Sequence, residues 1–386
     1  MKDTFKIYLL TFICFVAGTS EFVIVGVLDK IAEDIGISVS MAGQLITVFA
    51  ITAALGTPIA IYRMRKMNQK SVLVFALLTF TLGSLLMTVS KNFNILLMAR
   101  VVMAIGMGVF NVLCFIVASE LAPEHKKASA VATVTVGYNA ALIVGLPIGR
   151  IITQYYGWQS IFIGTSVLAL IFIAILAKSL PSFPATQTLP LKDQVRVFKR
   201  PIIVLSLAMS FFWILGYSSL YSYITPFLKT VSTLDESMFS MAFLAFGIST
   251  LIGNKSGGYF GDQFGTPNTI VVSMFAHVIV LALLSLCIGI HPYLTIGLLM
   301  IWAMVAWLPG PLFRYSIMNI SHEAKSVILS IYNSIIQMGF AVGAALGGLE
   351  IDTIGTHYLS WTAVGLVGIS FLLTVRYRKL RKKMMN

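Results

Sequence analysis

The chain has little charge. Asp, Glu, Lys and Arg make up 11% of its 386 residues, against about 25% in an ordinary soluble domain. That scarcity excludes a soluble globular protein, and the 58% hydrophobic content and mean hydropathy of +0.91 agree. Cysteine is scarce as well. Cys14, Cys114 and Cys287 all fall inside apolar runs, and an odd number of buried thiols supports neither a disulfide framework nor a metal site. No GxxxxGK[ST] sequence is present to cradle ATP phosphates, so ATP is not the expected energy source. There is no HExxH pair and no nucleophile elbow, and histidine occurs five times in all. A membrane enzyme is a poor reading, and no cofactor is expected.

What the chain does have is long apolar runs of about twenty residues, the length a helix needs to cross a bilayer. Short polar breaks separate them, and barrel strands would instead alternate over about ten residues. The expected fold is an all-α polytopic membrane protein. Its twelve transmembrane helices fall near 6–28, 41–62, 71–90, 94–118, 128–152, 158–179, 201–228, 238–260, 268–290, 293–313, 326–349 and 356–377. The first run, YLLTFICFVAGTSEFVIVGVL, is no cleavable signal: it is too long, it carries Glu21, and more spans follow.

The formal charge of +13 is unevenly spread. Counted from a cytoplasmic N-terminus, 22 Lys and Arg fall in inner breaks and four (Lys30, Lys91, Arg150 and Lys229) in outer ones, with Arg100 inside the membrane. This is the positive-inside pattern, and it predicts both termini in the cytoplasm. It also argues against nucleic acid as a partner. The basic end, RYRKLRKK, reads as a topology anchor beside anionic lipid.

The stretch 181–200, PSFPATQTLPLKDQVRVFKR, is polar, holds three prolines and sits near the midpoint. It predicts an N-terminal six-helix bundle over 1–180, a cytoplasmic linker over 181–200, a C-terminal six-helix bundle over 201–378 and a basic cytoplasmic tail over 379–386. Gly56 and Gly258, Gly137 and Gly339, and Gly145 and Gly347 are each 202 residues apart, so the bundles are expected to be pseudo-symmetric. Two parallel repeats with a site between them is a transporter architecture.

Several residues stand out. A carboxylate in mid-membrane costs about 2–4 kcal/mol even on lenient scales, so Glu21 either binds a proton or cation, or joins a structural ion pair. Glu21 and Arg100 both lie about 10 Å from the expected outer ends of their helices, at about 1.5 Å per residue. Matching depth makes a pair plausible, while Arg100 snorkelling outward and Glu21 bonding to Thr19 or Ser20 is the alternative. In GYNAALIVGLPIG, Gly137, Ala141, Gly145 and Gly149 recur every four residues. Such a stripe lets a neighbouring helix approach closely, and Pro147 kinks the span. In GGYFGDQFG, residues 257–265, the glycines suit a tight turn and Asp262 can cap the next helix or engage its positive end. The matching break of the first half holds Gly56, Arg63, Arg65, Lys66 and Lys70, charges suited to a cytoplasmic latch. Trp213, Tyr217 and Tyr221 form a helical stripe at i, i+4 and i+8. It is either an aromatic wall for flat or cationic ligands or an interfacial belt. Asn111, Asn333 and Gln337 are candidate cavity contacts or interhelical hydrogen bonds. His277 reads as a packed, hydrogen-bonded residue.

These features together resemble a family. The loop GGYFGDQFG, the fourth-helix MARVVMAIGMG and the fifth-helix GLPIG resemble the major facilitator superfamily, and more narrowly its twelve-helix bacterial drug:proton antiporters. AGTSEFVIVGVLDKIAEDIGIS, AGQLITVFAI and GLPIGRIITQYYGWQSIFIG are similar to the arabinose- and purine-efflux subgroup. The resemblance implies that Arg100 is the fourth-helix arginine linked to proton transfer, and Glu21 the first-helix acid that answers to proton and substrate in turn. It further implies that Gly145, Pro147 and Gly149 form the antiporter seal, and that Gly258, Asp262 and Gly265 form the cytoplasmic loop motif. The first-half copy departs from pattern, since no aspartate or second glycine follows Gly56 at the usual places.

The expectation is a proton-coupled exporter of small organic molecules such as drugs, purines or sugars, working by alternating access. It would sit as a monomer among the lipids of a bacterial cytoplasmic membrane. A lipid or glycolipid flippase, or a passive facilitator on the same scaffold, is the rival.

Overall fold

The computed structural model describes residues 2–123, 127–183, 200–231, 236–288, 290–318 and 325–385. Twelve helices there are long and apolar enough to cross a membrane. We label them α1 Lys2–Ile35, α2 Val39–Met64, α3 Gln69–Val89, α4 Phe93–Leu121, α5a Lys127–Ala140 with α5b Leu146–Tyr156, α6 Gln159–Ser179 and α7 Pro201–Tyr221. The remainder are α8 Glu236–Phe264, α9 Thr266–Cys287, α10a Pro292–Trp307 with α10b Gly310–Met318, α11 Lys325–Thr353 and α12 Leu359–Met385. The chain divides into two compact units, Met1–Thr188 with Glu236–Met241, and Leu189–Asp235 with Ala242–Asn386. Most of the expected linker lies outside the described residues. The basic end does not leave the last helix as a tail, because α12 runs through it to Met385.

Chain chemistry accounts for the helix ends. Ser38, Asn68 and Asn92 stand at the N-caps of α2, α3 and α4, each side-chain oxygen accepting a backbone N–H. α1 outruns the apolar pattern by seven residues, through DKIAEDI, because nothing breaks the helix before Gly36 at φ +69°. There Asp34 accepts from Trp158 Nε1 at 3.1 Å and from Gln159 Nε2 at 3.0 Å, tying the end of α1 to the start of α6.

Two spans are interrupted, each at a proline. Pro147 has no N–H for the Ile143 carbonyl, and its ring would collide with that oxygen in a regular helix. The chain widens one turn into a π-helix, Ala141–Gly145, and resumes as α5b. Pro309 likewise separates α10a from α10b.

In the first unit α1 packs along the fifth span, and α3 packs on α4 and α6. In the second, α7 packs on α11 and α12, and α9 on α10a and α12. The glycine stripes make the first of these contacts in each unit. A Cβ on Gly137 would lie 2.1 Å from the Thr11 carbonyl oxygen, and one on Gly149 would lie 2.0 Å from Val23 Cγ2. A Cβ on Gly347 would lie 2.4 Å from the Ser219 carbonyl oxygen. The 202-residue repeat therefore reappears as the same helix contact, α1 on the fifth span and α7 on the eleventh. Gly56 and Gly258 do not share it: Gly56 lies inside α2 against Ile105, and Gly258 has open space around it.

Candidate functional site

Glu21 lies in mid-helix, fourteen residues before the end of α1 at Ile35. That is about 21 Å at 1.5 Å per residue, twice the expected distance to the helix end, because α1 continues beyond Leu28. It is partly buried, and its Oε2 accepts a 2.9 Å hydrogen bond from Tyr138 Oη on α5a. The ring of Tyr138 packs edge-on against Phe22 at 5.2 Å. Neither Thr19 nor Ser20 serves Glu21: Thr19 Oγ1 donates to the Phe15 carbonyl, and the buried Ser20 hydroxyl has no partner among the described residues. The sequence carried a signal for Tyr138 that was easy to miss, a polar ring directly beside the first glycine of the stripe.

Arg100 is buried at 1% exposure. Its Nε donates to the Leu45 carbonyl at 3.1 Å, and its guanidinium carbon stands 4.2 Å from the centre of the Phe49 ring. Nη1 has no partner among the described residues. The pair with Glu21 is thus not made, although the two charges are close enough to act on one another.

Among the described residues, a buried ion pair in this unit is made elsewhere. Arg150, also 1% exposed, donates from Nη1 to Asp29 Oδ1 at 2.7 Å and to the Gly26 carbonyl at 2.8 Å. Sequence reasoning counted Arg150 among the outer charges, at the outer end of the expected span 128–152. The charged DKIAED run, continuing at helical spacing, was the signal for the longer helix.

In the second unit, Trp213, Tyr217 and Tyr221 come together as a buried stack. Tyr217 stacks on Tyr221 at 4.9 Å and on Trp302 at 5.3 Å, and Trp213 meets Trp307 edge-on at 5.9 Å. Burial of all three excludes the interfacial belt. Trp213 Nε1 donates to the Ala306 carbonyl at 2.9 Å, an oxygen beside the Pro309 break in the tenth span. Trp302 Nε1 donates to His277 Nε2 at 3.0 Å, so His277 is packed and hydrogen-bonded as expected. Tyr217 also meets Trp307 edge-on at 5.5 Å.

The other expected site residues are not drawn into these clusters. Asn111 is partly buried, and its Oδ1 lies 3.9 Å from the Cys14 thiol. Asn333 is exposed and Gln337 partly buried. The segment GGYFGDQFG is not a loop. α8 continues through Phe264, and the turn is made by Gly265 alone, at φ +84°. Asp262 is exposed and caps nothing, since Gly265 holds the N-cap of α9 without any side-chain bond. Glycines of this segment serve packing instead: a Cβ on Gly257 would lie 2.0 Å from the Leu308 carbonyl oxygen at the break in the tenth span. Gly56 is likewise mid-helix in α2, and Arg63 is exposed near its end.

Twelve apolar spans, proline breaks within the membrane and an intramembrane carboxylate define a multi-pass membrane transporter. The Major Facilitator Superfamily model matches residues 10–329, and the chain belongs to that superfamily. It is therefore a transporter rather than an enzyme, of a family that carries small molecules. A Bacillus subtilis (strain 168) protein described as "Uncharacterized MFS-type transporter YbcL" is 37% identical over 370 residues, covering 96% of this chain and 94% of that one. Among solved structures, that of a D-xylose-proton symporter superposes with a TM-score of 0.79 at 15% identity, covering 95% of this chain and 96% of that one. At that identity the likeness concerns the fold.

Proposed function

We propose that this protein is a proton-coupled exporter of small organic molecules, in the drug:proton antiporter branch that its motifs resemble. The observation that carries the reading is Glu21: a carboxylate in mid-span, hydrogen-bonded by a neutral phenol and in no ion pair among the described residues. A carboxylate tied to a guanidinium keeps its charge through a cycle, whereas one held by a phenol is free to take and release a proton. Arg100 lies close by without contacting Glu21, its Nε donating to the Leu45 carbonyl.

The GLPIG seam supports the direction. With Gly137, Gly145 and Gly149 in close contact with α1, the fifth span and the carboxylate-bearing helix are held together as one layer. Pro147 and its π turn mark where that layer bends. Trp213, Tyr217 and Tyr221, with Asn111, Asn333 and Gln337, are the proposed substrate contacts. Gly56, Arg63, Gly258, Asp262 and Gly265 are the proposed cytoplasmic gate. The transporter would work as a monomer in a bacterial cytoplasmic membrane, with halves 1–180 and 201–378, linker 181–200, basic end 379–386 and both termini inside.

The magnitudes permit coupling. One charge crossing 100 mV yields about 2.3 kcal/mol, and at about 1.4 kcal/mol per tenfold that sustains a gradient on the order of fifty-fold. The test uses everted membrane vesicles carrying an imposed pH gradient and a pH-sensitive dye, given a panel of cationic dyes, antibiotics, purines and sugars. At least one compound should discharge the gradient in wild type and not in Glu21→Gln. Equal discharge by both proteins would show that Glu21 is structural. Proton entry in the same direction as a labelled sugar would make the protein a symporter, the activity for which the structurally similar D-xylose-proton symporter is named.

A further inference from the structure

We infer that Tyr138 is the positioning residue for proton coupling, holding the Glu21 carboxylate by the Oη–Oε2 hydrogen bond. This rests on the reading of Glu21 as the proton carrier, and adds a residue to it that neither the sequence motifs nor the family resemblance singled out.

The geometry makes Tyr138 the group in control. Its bond to Glu21 is 2.9 Å long and is donated by the phenol, and a donor to a carboxylate favours the charged form. The bond is also held in place from two sides. The neighbouring Gly137 brings α5a so close to α1 that a Cβ there would lie 2.1 Å from the Thr11 carbonyl oxygen. The Phe22 edge contact fixes the ring itself. Past the π turn, Arg150 fastens α5b to the same helix through Asp29 and Gly26.

Among the described residues, no other element packed on α1 competes for Glu21. α2 contributes no charged or histidine side chain from Val39 to Tyr62, and α6 contributes only Lys178, at its far end. Arg150 of α5b is engaged by Asp29. On α4, Arg100 acts on Glu21 from a distance, with its Nε turned to Leu45. Glu120, at the other end of α4, accepts from Gln69 Nε2 at 3.3 Å.

The experiment reads Glu21 directly and needs no transported substrate. Purified full-length protein in lipid is titrated while the carbonyl stretch of its protonated carboxyl is followed by infrared spectroscopy. The Glu21 band is isolated as the difference between each protein and the same protein carrying Glu21→Gln. Tyr138→Phe keeps the ring and its packing, and loses only the hydroxyl. Loss of a donor to the carboxylate makes the proton bind more tightly. The midpoint should therefore move about one pH unit towards alkaline, a tenfold change in proton affinity. Phe22→Leu removes the ring contact but keeps the phenol, and should move the midpoint by less than Tyr138→Phe does.

An unmoved or acid-shifted midpoint in Tyr138→Phe would overturn the assignment, as would an equal shift in Phe22→Leu. A wild-type band that does not titrate at all would overturn it together with the proton-carrier reading. If the band shifts as expected while Glu21→Gln vesicles remain coupled, the role of Glu21 in transport fails but its control by Tyr138 stands.

Discussion

Arg150 Nη1 meets Asp29 Oδ1 at 2.7 Å, and the same nitrogen donates to the Gly26 carbonyl. Both charged side chains are almost wholly buried, at 1% and 9% exposure. The pair fastens α5b to the far end of α1, while Tyr138 engages the middle of that helix. Removing one partner deprives the other buried charge of this contact. Arg150→Met is expected to cost about 3–5 kcal/mol of stability, seen as a lowered thermal midpoint in detergent. Replacing both together, Asp29→Leu with Arg150→Met, should recover most of that loss. A single variant as stable as wild type would show that the pair carries no energetic weight.

Gly137 and Gly258 both belong to motifs, yet their surroundings make opposite predictions. A methyl group at 137 would collide with the Thr11 carbonyl, so Gly137→Ala should cost about 1–3 kcal/mol as an overpacked contact. At 258 nothing stands within 4 Å of the missing Cβ. Gly258→Ala lies within α8 and should gain about 0.5–1 kcal/mol from helix propensity. Thermal unfolding of the two variants side by side checks both signs at once. Transport by Gly258→Ala then asks separately whether the proposed gate needs a glycine there.

Trp213 is predicted to act first on the fold. Its indole N–H satisfies the Ala306 carbonyl beside the break at Pro309. Trp213→Phe preserves much of the ring contact with Trp307 and leaves that buried oxygen bare, at a cost of about 1–3 kcal/mol. If unfolding is unchanged and only transport falls, Trp213 contacts substrate and its structural role is minor.

Asp34 collects donors from Trp158 and Gln159 at the start of α6. Its side chain is 31% exposed, so the ion pair with Lys91 should contribute little, about 0–1 kcal/mol. Lys91→Ala is therefore expected to leave the thermal midpoint nearly unchanged. Asp34→Ala should lower it further than Lys91→Ala does, because two neutral donors lose their acceptor as well. Equal effects would assign the contact to the lysine alone.

The amino-acid order by itself determined the membrane class, the number of spans, the repeat and the small-residue stripe. Each of those depends on hydropathy and spacing along one chain, which bilayer thickness and helix geometry translate directly into structure. It also singled out Glu21, since an acid in an apolar run is anomalous before any neighbour is known. Which residues the acid would meet was a different matter. Arg100 turns its Nε to the Leu45 carbonyl and Glu21 accepts from the Tyr138 phenol, partners that position along a helix does not specify. GGYFGDQFG looks like a turn because glycine permits one, yet the close approach of the tenth span uses the same lack of a side chain for packing. Side-chain direction around a helix axis, and across two proline breaks, is fixed only when the helices dock. For that reason the bond between Tyr138 and Glu21, the Arg150–Asp29 pair and the Trp213 cap belong to the tertiary structure alone.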